Sequence, residues 1–423
     1  MANIAPTAVE RRAHAENAVK LVQPEGNFCE HIGTGLKLPT DSCVVWCVGD
    51  SVMAQPQGYL DPVKEYFEAK FKEVTFERLS IPSASILCME HIVAAKLVSK
   101  RPDIVLFGLS VCDYGELRDS GHNLNVLFSA YDRALWAIRS QSPECAIIFI
   151  SNFLIVNSVA DFQRYSSLTN AYSEFCKHHQ IPFLNYTKAF CKCDLSFCFK
   201  DHCHTTAEGG RLLGNLVCKS LSSLQNECSF SDTPHIPYNV CEDSLKKQKY
   251  EKLSVIDLID NCAHVYNKNE GFLRWAETNP GHPTLITPHF DNYKGWVLLR
   301  SGEELLFHFT GSSIVMCCLV GPTSGSLTIV IDEEERVVDL LDQWSHFFRY
   351  RLVCLATGLT QRGHKVQIKV LTEKECPDHM RERRQVLLKE RQCWASPKDI
   401  YGSYLCSPEH MPIDLRVEGF FTG

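Results

Sequence analysis

Along the first half of the chain, short uninterrupted apolar runs alternate with segments whose apolar residues recur at helical spacing. The runs predict strands over 43–48, 74–78, 104–109, 146–150 and 182–185. The helical period predicts helices over 59–71, 91–100, 123–139, 168–179 and 208–221. Strand–helix alternation of this kind marks an α/β fold with a parallel sheet and crossover helices, here over residues 40–222. Residues 1–39 read as an N-terminal helical extension, amphipathic and lying on the fold. Residues 223–252 are polar, contain prolines and carry the run KKQKYEK, which reads as a linker. The pattern then changes. Segments 295–300, 304–310, 313–320, 326–332, 347–356 and 365–371 read as strands, several of them alternating apolar and polar positions. Turn signals separate them at Gly321-Pro322, Thr323 to Gly325 and Arg362-Gly363. A helix over 380–392 and a returning strand over 413–421 complete a predicted β-sandwich domain spanning 253–423.

Composition narrows the class. A chain of 423 residues exceeds one ordinary core, consistent with two domains. Hydrophobic residues at 45% and charged residues at 22% are those of a soluble globular protein. The net charge of −7, without a strong bias along the chain, argues against a nucleic-acid binder. No window approaches ~18 uninterrupted apolar residues, so no membrane span is expected. The N-terminus lacks the apolar core of a secretory signal. The 21 cysteines are therefore read as reduced thiols of a cytoplasmic protein, many of them small hydrophobes inside strands, such as Cys43, Cys47, Cys317, Cys318 and Cys354.

Two motifs carry chemistry. The first strand runs directly into Gly49-Asp50-Ser51, with helical sequence soon after. Residues at the C-terminal edge of a parallel sheet face the crevice where α/β proteins bind ligands. Alone, the tripeptide reads as a turn with a helix cap, and Asp50 reads as bonding loop backbone or capping that helix. The second motif is Asp201-His202-Cys203-His204, ahead of the closing helix. A hydroxyl becomes a nucleophile when a base takes its proton, and the base needs an acid to fix its tautomer. An Asp and a His three residues apart in one loop supply both. Cys191, Cys193, Cys198, His202, Cys203 and His204 also crowd together as a zinc-like cluster. Their spacing lacks the paired C-x2-C of common structural sites, so no metal is expected.

Strand–GDS at one end, D-x-x-H before a closing helix at the other, and strand–helix alternation between them resemble the SGNH/GDSL hydrolase superfamily over the first half. The resemblance implies a flavodoxin-like three-layer parallel sheet. It implies Ser51 as nucleophile, His204 as general base and then acid, and Asp201 as the group orienting His204. It also implies an oxyanion hole from the Ser51 N–H, a backbone N–H after the second strand and an Asn side chain after the third. Here the sequence departs from the pattern: Ser83 stands at the family's Gly, and Ser110-Val111-Cys112-Asp113 aligns with G-x-N-D, putting Cys112 in the Asn position. A thiol is a weak donor beside an amide. Asp113 and Tyr114 read equally as lining the entrance or as a solvated loop.

The implied function is a serine esterase that hydrolyses small acyl esters, O-acetyl groups on carbohydrate among them, without a cofactor. The alternatives are a weak or inactive SGNH-fold binding module for a glycan or protein, and a zinc-stabilised interaction protein. The acyl group, the alcohol, hydrolysis against acyl transfer, and the oligomeric state stay open. In the second half, residues 309–314, 325–332, 358–359 and 363–368 resemble a galactose-binding-type jelly roll. This implies a carbohydrate-binding or substrate-shaping role, with a purely structural domain as the equal alternative. Trp344, His346 and Arg349 are its candidate sugar contacts.

Overall fold

A computed structural model of the chain describes residues 29–30, 41–81, 84–97, 99–119, 122–152, 154, 159–186, 198–227, 251–254, 264–266, 296–320, 324–341, 349–382, 385–386 and 414–422. Apart from the two-residue strand noted below, the N-terminal extension lies outside them, as do Ser83, Cys191, Cys193, Trp344 and His346; the Arg349 side chain is also not described. The chain divides into two compact units, Met1–Leu245 and Lys246–Gly423.

In the first unit the elements run β1 (Cys29–Glu30), β2 (Ser42–Gly49), α1 (Ser51–Ala54), α2 (Leu60–Lys70), β3 (Glu73–Ser80), α3 (Ile86–Leu97), β4 (Ile104–Gly108) and α4 (Ser110–Asp119). They continue with α5 (Leu124–Gln141), β5 (Ala146–Ser151), α6 (Val159–His178), β6 (Phe183–Asn185) and α7 (Ala207–Glu227). The sheet order is β1-β6-β5-β4-β2-β3, parallel throughout except for β1, which runs antiparallel to β6. The five parallel strands thus have the flavodoxin-like order, with β2 inside the sheet and its neighbours β3 and β4 on opposite sides. That reversal opens a crevice past the C-terminal ends of β2 and β4, where Gly49 pairs with Gly108. Strands β2 and β4 are apolar on both faces because helices cover both. Val45, Trp46, Cys47 and Val48 of β2, with Ile104 to Phe107 of β4, are almost wholly buried.

Four helices differ from the sequence expectation, and one of them, α6, begins at Val159 rather than 168. Helix α3 begins at Ile86 rather than 91, because its first turns are apolar all round and buried, leaving no amphipathic period to read. Helix α4 carries no such period either, yet Ser110, Asp113 and Tyr114 are buried on it. Helix α7 runs on to Glu227, past the expected stop at 221. Leu221 and Leu224 continue its buried stripe, and the Ser222 and Ser223 hydroxyls donate back to the carbonyls of Cys218 and Lys219.

The second unit holds β7 (Glu251–Ser254), β8 (His264–Tyr266), β9 (Trp296–Arg300), β10 (Glu304–Gly311), β11 (Ile314–Val320), β12 (Ser326–Ile331), β13 (Glu334–Asp339), β14 (Arg349–Ala356), β15 (Arg362–Val370) and β16 (Asp414–Thr422). These form two antiparallel sheets, β10-β15-β12-β13 and β14-β11-β16-β9-β8, with β7 also on β16. One apolar cluster draws on both, with Phe307, Ile329 and Ile368 from the first sheet and Ile314, Met316 and Leu355 from the second. Strand β13 was missed because its sequence, EERVVD, is charged and mostly exposed. Its hairpin turns at Asp332-Glu333 with Asp332 at φ 55°, without a glycine to announce it.

Asp113 fastens the helices around the crevice. It is fully buried, accepts the Ile86 N–H at 2.8 Å and the Tyr131 hydroxyl at 2.7 Å, and accepts the Tyr172 hydroxyl as well. It is therefore neither a solvated residue nor part of an entrance. Burial pushes its carboxyl up to about 7, against the hydrogen bonds from Tyr172, Ile86 and Tyr131. The folded chain thus holds this proton more tightly than the unfolded chain. The favourable contribution is complete below pH ~4 and is lost as pH rises toward 7. Asp113→Asn keeps an acceptor for Ile86 and removes the ionisation. In urea denaturation its stability relative to wild type is expected to improve by on the order of 2–4 kcal/mol between pH 4 and pH 8. A constant difference across that range refutes the assignment.

Candidate active site

Strand β2 delivers Gly49-Asp50-Ser51 to the crevice. Asp50 caps α1, its Oδ1 accepting the Val52 N–H at 2.9 Å. Its Oδ2 accepts the Cys112 N–H at 3.3 Å, which ties the turn after β2 to α4. Burial pushes the Asp50 carboxyl up to about 6, in spite of the Val52 and Cys112 N–H groups and the nearby His204.

The second element is a tight loop before α7. Phe199 and Thr205 face each other in an antiparallel bridge. The Lys200 N–H donates to the His204 carbonyl at 2.7 Å, and the Thr206 N–H to the Cys198 carbonyl at 2.8 Å. Within this loop Asp201 Oδ1 accepts the N–H groups of Cys203 and His204, both at 2.8 Å. Asp201 Oδ2 lies 2.8 Å from His204 Nδ1, and His204 Nε2 lies 2.9 Å from Ser51 Oγ. Ser51, His204 and Asp201 therefore form one hydrogen-bonded chain. An Nδ1–H donated to Asp201 leaves Nε2 as an acceptor aimed at the seryl hydroxyl. Burial alone would raise the Asp201 carboxyl. The bonds from the His204 ring and from the two backbone N–H groups outweigh it and hold the acid well below the usual carboxylate range.

The remaining site candidates are placed less directly. Cys112 sits in the first turn of α4 with its N–H on Asp50. Burial first, then Asp50 and Asp113, keep that thiol far above its ordinary range and so protonated. Ser83 lies outside the described residues, but the segment just after it is held by α4: Ser85 Oγ donates to Glu116 at 3.1 Å, and Ile86 N–H to Asp113. Asp201, Cys203 and His204 also form a potential ligand group, with donor atoms within 4.8 Å of one another. Both ring nitrogens of His204 already carry the bonds to Asp201 and Ser51, so this group coincides with the hydrogen-bonded chain. Cys198 is packed away, 1% exposed. The cysteines whose side chains are described, among them Cys112, Cys198 and Cys203, form no disulfide. No helix among the described residues is long and apolar enough to cross a membrane.

Sequence reasoning did not single out Gln55, Asp113 or Glu116 as holding the site. Gln55 carries no signal of its own in the sequence, since its partner Thr205 lies 150 positions away. Asp113 alone carried a signal, through its place in the aligned G-x-N-D.

No family model matches the sequence, and no curated protein matches it. Two crystal structures of a two-domain esterase active on acetylated mannans, one co-crystallized with mannopentaose, are similar in fold. Each has a TM-score of 0.59 and 12% identity over 90% of this chain and 91% of theirs. The first unit has the SGNH/GDSL hydrolase fold. A putative GDSL-like lipase from Parabacteroides merdae covers 45% of this chain and 99% of its own, at 14% identity and a TM-score of 0.39. In the SGNH unit the hydrogen-bonded chain lies where β2 and the loop before α7 come together.

The lowered Asp201 acid has a sign that can be checked. Its folded value lies below the unfolded one, so its stabilising contribution is present above pH ~4 and fades as pH falls through the folded value. Asp201→Asn is expected to lower the thermal midpoint more at pH 7 than at pH 3. An equal drop at both values contradicts the assigned hydrogen bonds.

Proposed function

We propose that the protein is a serine esterase hydrolysing small acyl esters, O-acetyl groups of a carbohydrate being the favoured substrate. The observation that carries this reading is the 2.9 Å contact from Ser51 Oγ to His204 Nε2, continued at 2.8 Å to Asp201. Ser51 Oγ attacks the ester carbonyl while His204 Nε2 takes its proton. The charge that develops on the imidazolium is balanced by Asp201. The tetrahedral oxyanion is received by the N–H groups of Ser51 and Ser83, with Cys112 at the third position. Collapse expels the alcohol, which takes its proton from His204. Water then adds to the acyl-enzyme with His204 again as base, releasing the acid and restoring the serine. The acetylated mannans of the similar two-domain esterase support the choice of acyl group and alcohol. The second unit is proposed as a β-sandwich accessory domain that binds or shapes a carbohydrate substrate.

One observation favours a second reading. A thiol, Cys112, stands at the amide position, which leaves the oxyanion with a weaker third donor. Losing one good donor costs about 10²–10³ in rate. A slow enzyme or a glycan-binding module follows if backbone donors do not suffice.

Two experiments separate these readings. Wild-type protein is expected to hydrolyse p-nitrophenyl acetate and to be labelled by a fluorophosphonate on Ser51, and Ser51→Ala is expected to lose both. Absence of turnover and labelling in wild type selects the binding module. Cys112→Asn restores the amide donor and is expected to raise kcat by about 10-fold or more with little change in KM. An unchanged or lower kcat removes position 112 from the oxyanion hole.

A further inference from the structure

The loop that carries Asp201 and His204 is narrow, and its extended residue Thr205 has two sides. On one side it faces Phe199 across the antiparallel bridge, with the adjoining hydrogen bonds made by Lys200 and Thr206. In such a pairing the N–H and C=O of the bridging residue point the other way, where a further strand would normally take them. No strand is there among the described residues. The side chain of Gln55 fills that place: Nε2 donates to the Thr205 carbonyl at 2.6 Å, and Oε1 accepts the Thr205 N–H at 3.0 Å.

Gln55 is the C-cap residue of α1, four positions after Ser51, and Thr205 immediately follows His204. One planar amide thus joins the turn holding the hydroxyl to the loop holding the imidazole. Both partners are buried, Gln55 at 6% and Thr205 at 1% exposure, so water does not compete for these bonds. Gln55 is itself anchored. Its carbonyl accepts the Gly58 N–H at 3.3 Å and Arg78 Nη1 at 3.5 Å, and Arg78 pairs with Asp61. The backbones close up beside it as well. A Cβ on Gly210, at the start of α7, would stand 2.5 Å from the Gln57 carbonyl, and Gln57 itself holds φ 54°.

We infer that Gln55 is a positioning residue: its side-chain amide, bonded to both backbone groups of Thr205, sets the approach of His204 to Ser51. The inference rests on the esterase reading. Gln55 touches neither Ser51 Oγ nor the imidazole in this role. It acts by fixing the distance between the two segments that carry them, and a misplacement of about 1 Å at such a contact can cost roughly 10²-fold in rate.

The test uses the full-length chain, p-nitrophenyl acetate as substrate, and a fluorophosphonate to count reactive sites. Gln55→Met keeps the bulk of the side chain and removes both bonds. It is expected to lower kcat per titrated site by about 10–100-fold, with KM within about 2-fold of wild type. A role in folding alone would instead lower the number of titratable sites and leave the rate per site intact. Gln55→Glu adds a readout by pH. As carboxylate it accepts from the Thr205 N–H but repels the carbonyl; as acid it reproduces both bonds of the amide. The ratio of its kcat to that of wild type is expected to climb as pH falls. A wild-type rate per site in Gln55→Met overturns the inference. If Gln55→Met does not fold, a Gln55→Glu ratio that is flat with pH overturns it instead. A wild type that neither turns over nor labels is a different failure: it sinks the esterase reading and takes this inference with it.

Discussion

A hydroxyl and an imidazole that lie 153 residues apart in sequence must be held 2.9 Å apart in space, and the first unit is arranged around that demand. The sheet meets half of it. Because β2 lies inside the sheet and is parallel to both neighbours, its end is fixed on two sides, and the register sets Gly49 beside Ser80 and Gly108. The turn after β2 then leaves the sheet from a point with little freedom. The other half falls to a loop with much less support, a single bridge between Phe199 and Thr205 followed by α7. Sheet register alone does not control that loop. Side-chain and close backbone contacts between residues 55–58 and 205–210 bring it under control.

Three aspartates around the crevice show how environment sorts one chemical group into different states. Asp50 and Asp113 are fully buried, and burial wins: each is pushed upward although it accepts several hydrogen bonds. Asp201 is only partly buried, and a ring N–H with two backbone N–H groups converge on it, so hydrogen bonding wins. The difference suits the positions. A carboxyl beside an imidazole stabilises the imidazolium when it carries its charge. One that fastens helix ends in the interior costs less when it does not.

Much of the first unit was legible in the sequence because both of its periods were clean. Strand β2 is a continuous apolar run ending in glycine, and α5 and α7 have one-sided apolar stripes. The pairing of Ser51 with Asp201 and His204 could be anticipated because local motifs sat at the two ends of that alternation. What was not legible was whatever had no local signature. Helix α3 is buried all round through its first turns, α4 is short and mixed, and β13 is a charged edge strand, so each lacks the contrast on which periodicity depends. Gln55 is the clearest case: nothing near it in sequence tells that its amide replaces a missing strand beside Thr205.

The second unit is closed by a strand late in its sequence. Strand β16, residues 414–422, lies inside its sheet, with β11 along one side and β9 and β7 sharing the other. Among the described residues β16 is what joins the strands on its two sides, so those strands are separate pieces until residues 414–422 have been made. Translation delivers the strands of the α/β sheet first, while the ladders that β16 makes with β7, β9 and β11 form only once residues 414–422 have been made. A ribosome that stalls before residue 414 would release a first unit with all its strands attached to an unclosed sheet whose hydrogen-bonding edges remain bare.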